Sequence, residues 1–82
     1  MTKEELWEYV QTGREIEWKC NNKEFSITYC ETDEKIPYIS FCESHQEPID
    51  VFTFDELINI KCCNTTVLEV LKSLKDDEPW IS

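Results

Sequence analysis

The sequence predicts an α+β domain ordered helix, three antiparallel strands, helix, helix, with the helices packed on one face of the sheet. Three features point to it. Two neighbouring runs alternate apolar and polar residues around an Asn-Asn pair, and Thr-x-x-Glu, the signature of a helix start, stands before three apolar stretches, at Thr2, Thr53 and Thr66. The chain also has 40% apolar residues, including three Trp, three Tyr and four Phe, enough to drive collapse despite a formal net charge of -10. Its 82 residues suit one domain, with an acidic tail expected from about residue 76.

The first helix is expected over Lys3–Gln11. Thr2 and Glu5 stand at capping-box spacing, Leu6, Tyr9 and Val10 recur at helical intervals, and Gly13 supplies the stop. In the runs that follow, Ile16, Trp18 and Cys20 alternate with charged residues, and Phe25, Ile27 and Tyr29 alternate with Glu24, Ser26 and Thr28. Asn21-Asn22 between them tolerates the positive φ of a tight turn. A two-residue loop there sets Cys20 opposite Lys23, Lys19 opposite Glu24, Trp18 opposite Phe25 and Ile16 opposite Ile27. Apolar residues then meet on one face, and a one-residue slip would destroy the match.

A polar loop from Glu31 to Lys35 leads past Pro37 to a third strand, Tyr38–Glu43, with Ile39 and Phe41 facing the core. Ser44–Phe52 is expected to be a loop. Thr53 with Glu56 opens a short helix to about Asn59, and Ile60–Asn64 is ambiguous between turn and extended chain. Thr66 with Glu69 opens the last helix, whose Val67, Val70, Leu71 and Leu74 share a face, with Lys72 and Lys75 near its end. Trp80 and Ile81 either fold back over the core, the favoured reading, or anchor in a partner. On the other sheet face stand Glu15, Glu17, Lys19, Glu24, Ser26, Thr28, Tyr38 and Ser40. Tyr38 beside Cys42 would begin a contact surface.

Charge narrows the function classes. Between Glu31 and Glu56 stand eight acidic side chains (Glu31, Asp33, Glu34, Glu43, Glu47, Asp50, Asp55, Glu56) and one base, Lys35. Such a segment repels phosphate backbones and acidic membranes, so direct nucleic-acid or membrane binding is not expected. The helix-turn-helix reading of Thr53–Leu74 fails too, because the opening turns of its second helix carry no base. Two helices packed on the core explain that span better. The N-terminus lacks the apolar stretch of a signal peptide and no run is long enough to span a bilayer, so a cytoplasmic protein is expected, monomeric by default.

Chemistry finds little to stand on. Cys20, Cys30, Cys42, Cys62 and Cys63 are an odd number without a disulfide framework and read as reduced thiols. Cys42 and His45 make a C-x-x-H spacing, the weak candidate for a metal- or thiol-dependent site, with Cys30, Cys62 and Cys63 as further ligands. One histidine and no C-x-x-C fall short of a structural zinc set. Acidic surroundings also favour the Cys42 thiol over its thiolate. The single glycine ends a helix, so no loop cradles phosphate. No cofactor and no enzymatic activity are expected.

The acidic surface then has a bland reading, solubility, and sharper ones: contact with a basic protein partner, or imitation of a phosphate backbone in a nucleic-acid enzyme's cleft. The candidate partner-binding residues are Asp33, Glu34, Glu43, Glu47 and Trp80. The stretches TKEELWEYV, YISFCE, FDELINIK and TTVLEVL together resemble short acidic proteins encoded on mobile elements of Gram-positive bacteria. That resemblance covers most of the chain. It implies a cytoplasmic bacterial protein with an accessory role toward host or element machinery, and it assigns no site residues.

Overall fold

The computed structural model describes residues 1–74 and 79–82. It is an α+β fold: a five-stranded antiparallel sheet in the order β4-β3-β2-β1-β7, a two-stranded β5-β6 hairpin, and three helices. The strands are β1 (Ile16–Cys20), β2 (Lys23–Glu31), β3 (Pro37–Glu43), β4 (Ile49–Val51), β5 (Lys61–Cys62), β6 (Thr65–Thr66) and β7 (Trp80–Ile81); the helices are α1 (Lys3–Gln11), α2 (Phe54–Ile58) and α3 (Val67–Ser73).

Helix α1 spans the residues its sequence specifies, because both of its ends are satisfied. The Thr2 hydroxyl accepts from the Glu5 amide at 3.1 Å and the Glu5 carboxylate accepts from the Thr2 amide at 3.0 Å, closing the capping box. At the other end Gly13, at φ +79°, lets its amide reach the Val10 carbonyl while the Arg14 amide reaches Tyr9. This is the Schellman pairing, which needs a left-handed residue where glycine stands. Thr53 and Thr66 cap α2 and α3 in the same way, each hydroxyl accepting from the glutamate amide three residues on.

The β1–β2 register is the expected one: Ile16 opposite Ile27, Trp18 opposite Phe25, Lys19 opposite Glu24, Cys20 opposite Lys23. Asn21 and Asn22 both take positive φ, the requirement of a two-residue type I′ loop. Strand β3 continues the meander with Phe41 opposite Ile27 and Ile39 opposite Tyr29. Trp18, Phe25 and Phe41 form a row across the three strands, with neighbouring rings 5.7 and 5.8 Å apart and nearly parallel. All core residues of the sheet project to one side. There they bury Leu6 and Val10 of α1, Leu57 and Ile58 of α2, and Val67, Val70 and Leu71 of α3. The helices thus lie on one face.

Two edge strands extend the three-stranded meander to five. Within the expected loop 44–52, Ile49–Val51 pairs with β3, placing Val51 opposite Ile39 in the core. At the far edge the tail folds back onto β1, with Ile81 opposite Ile16 and Trp80 opposite Glu17. Ile81 packs on the core, whereas Trp80 falls on the other face and stays 50% exposed. The ambiguous segment after α2 is the β5–β6 hairpin, whose loop Cys63–Asn64 again has two positive φ values. Lys75 and the acidic residues 76–78 lie outside the described residues. Among the described residues no helix is long and apolar enough to cross a membrane.

Candidate functional site

With every helix on one side, the outer face of the sheet is left to solvent, and none of its residues is fully buried. Its middle is small and polar, with Thr28 paired to Ser40. Its two ends are acidic, and each forms a shallow groove.

The first groove lies at the β1–β2 turn end, lined by Glu15, Glu17, Glu24, Ser26, Cys42 and Ser44. Glu15 and Glu17 point the same way, and the neighbouring Glu15 carboxyl raises the pKa of Glu17 by hydrogen bonding to its protonated form and by charge repulsion. One of its carboxylates is paired from outside the groove. Lys19 reaches Glu24 at 3.8 Å, and its ammonium also sits 5.8 Å from the centre of the Trp80 ring.

The second groove lies at the β2–β3 turn end, lined by Glu31, Thr32, Asp33, Tyr38, Asp50 and Phe52. The turn itself is a three-residue loop. The Thr32 amide bonds the Ile36 carbonyl, the Lys35 amide bonds the Thr32 carbonyl, and Lys35 takes positive φ to rejoin the strand. Asp33 lines the groove, whereas Glu34 does not and stands exposed in the turn. Tyr38 and Phe52 follow from strand pairing, because the residue beside Val51 neighbours the residue beside Ile39. Their rings lie 6.2 Å apart at 49°. The Tyr38 hydroxyl is raised above its ordinary value, first by the Cys30 thiol opposite it and, more weakly, by burial and Asp50.

The candidate residues therefore divide. Asp33 and Glu34 stand at one end of the sheet, Glu43 and Glu47 at the other. The stretch of β2 between the two ends, Phe25 to Glu31, is about 20 Å at roughly 3.3 Å per residue. One acidic segment of sequence becomes two separate patches. Glu43 is also engaged internally: Lys23 approaches it at 4.0 Å and its side chain is 27% exposed. Tyr38 and Cys42 share the outer face but do not adjoin, standing four residues apart on β3. Phe52 carried no sequence signal, since Ile49, Val51 and Phe52 blur the alternation that would have marked a strand.

The thiols separate as well. All five are free. Cys30 and Cys42 sit at opposite ends of the outer face, and the Cys42 thiol donates weakly to its neighbour's carbonyl, Glu43, at 3.6 Å. His45 occupies a tight turn at positive φ, exposed, where the Gln46 amide bonds the Glu43 carbonyl. Cys20, Cys62 and Cys63 lie on the opposite side, at the core. Burial pushes the Cys62 and Cys63 thiols above their ordinary values, the reverse of an activated nucleophile. Among the described residues no group of three His, Cys, Asp or Glu side chains has the arrangement of a metal site.

No known protein family, no curated protein and no solved structure matches this chain.

Proposed function

We propose that this chain is a non-enzymatic interaction module that uses its uncovered sheet face to hold a basic protein, with a cytoplasmic, nucleic-acid-handling protein as the partner class. One observation carries the reading. The sheet has a whole face free of helices, its centre is small and polar, and carboxylates with exposed aromatic rings stand at both ends. An interface needs apolar anchors that exclude water and charges that steer the encounter. Trp80, Phe52 and Tyr38 are the anchors; Glu15, Glu17, Glu24, Glu31, Asp33 and Asp50 supply the charge. A nucleic-acid-handling protein presents the complementary field on its own binding surface.

The test is a pull-down with the tagged chain, washed at about 50 mM and then about 500 mM salt, where screening shortens charge interactions to a few ångström. A basic protein released by the second wash supports the proposal. Replacing Glu15, Glu17, Glu24 and Asp50 by their amides should abolish that capture. Unchanged capture by the neutralised chain overturns it.

A further inference from the structure

The two grooves differ in a way that assigns a ligand to one of them. At the first, Lys19 already neutralises Glu24 and stands over Trp80. At the second, Glu31, Asp33 and Asp50 converge on a concavity of about 380 Å³, and none of the three is in an ion pair among the described residues. Lys35, the only base of the adjoining turn, does not line it. Two rings, Tyr38 and Phe52, also line this concavity. Phe52 is 61% exposed, and its ring centre lies 6.2 Å from that of Tyr38. Leaving a phenylalanine this exposed brings no folding advantage, since it contributes to stability mainly by being buried.

Resting on the reading of an acidic interaction module, we infer that this groove binds an arginine side chain presented by the basic partner. A guanidinium is planar, so it stacks on an aromatic face while its N–H groups fork toward carboxylates lying at the edge of that face. The groove offers both at once: the Phe52 and Tyr38 rings and the three carboxylates line it together. A lysine ammonium satisfies the charges but has no plane to lay on the ring. A second copy of this chain does not fit, because it would bring another -10 charge and a single arginine, Arg14.

The experiment titrates isotope-labelled protein with a nine-residue oligoarginine and, separately, with oligolysine, following amide shifts. Shifts centred on Glu31–Asp33, Tyr38, Asp50 and Phe52 are expected. Oligoarginine should bind roughly three- to ten-fold more tightly than oligolysine, and Phe52→Leu, which keeps an apolar side chain but removes the ring, should erase that preference. Phe52 is exposed, so this variant keeps its fold, and an unchanged melting temperature verifies it. Equal affinity for the two peptides, a preference that survives Phe52→Leu, or shifts centred on Glu15, Glu17 and Glu24 would overturn the groove while leaving the acidic module standing. Binding of neither peptide overturns both.

Discussion

At Glu15 and Glu17 two carboxyls face the same way, and neither is in an ion pair among the described residues, so the site favours holding a proton. Glu17's pKa is raised in the folded state. Its protonated contribution to stability is therefore present below its unfolded pKa and is lost as pH rises through the folded one. Glu15→Gln should return the Glu17 titration, followed by the side-chain carboxyl shift in NMR, to the ordinary glutamate range; no movement would mean the two groups are not coupled. A second residue-scale cost sits in the β1–β2 loop. Asn22 is exposed and holds φ at 64°, a region asparagine tolerates and glycine occupies freely. Asn22→Gly should raise stability by about 0.5 kcal/mol, read from urea unfolding at constant m-value. Trp18 is different in kind. Its indole nitrogen is buried with no oxygen or nitrogen partner among the described residues and is left with the nearby Cys62 thiol, a poor substitute for oxygen.

Among the elements, α1 shows how a local signal becomes measurable stability. Thr2 donates its amide to Glu5 and accepts from Glu5's amide, and this lowers the Glu5 pKa below 4.5, the backbone bond first and the hydroxyl second. A depressed carboxylate contributes stability above its unfolded pKa and loses that contribution as pH falls through the folded value. Melting temperatures of wild type and Glu5→Gln should thus differ most near neutrality and converge on acidification; a gap that stays constant with pH would refute the assignment. Thr2→Ala should cost about 1 kcal/mol at neutral pH. Capping boxes of this kind are legible in sequence because each involves residues three apart. The β1–β2 register was legible for a similar reason, as alternation and a two-residue loop leave one match. Strands β4 and β7 were not, because three and two residues are too few to show a period. What fixes them is a partner strand already in place: Val51 beside Ile39, Ile81 beside Ile16. Ile60–Asn64 was ambiguous for the same cause: β5 and β6 have two residues each.

Over the whole molecule, the legible quantity was the amount of charge and the hidden one its distribution. Antiparallel pairing sends Asp33 and Glu43, ten residues apart in sequence, to opposite ends of the sheet, so a charged segment does not specify a patch. Its consequence for stability follows from size. The principal extents are 37 × 27 × 22 Å. At about 10 mM ionic strength the screening length is about 30 Å, so nearly every carboxylate feels every other; at about 150 mM it is about 8 Å, and only neighbours interact. Against this repulsion the described residues offer two ion pairs, Lys19–Glu24 and Lys23–Glu43, both with a well-exposed lysine and each contributing at most about 1 kcal/mol. Salt weakens those attractions too, but they are few, and the repulsion among ten excess charges is the larger sum. The melting temperature should therefore rise by several degrees between about 10 and 150 mM sodium chloride, a shift of about 1 kcal/mol in a domain of this size. The comparison with a sulfate-free, chloride-only series matters, because strongly hydrated anions stabilise by exclusion from the surface whatever the charge. A melting temperature that falls with added chloride would mean that attraction dominates, and that the acidic face is balanced from within rather than left open to a basic partner.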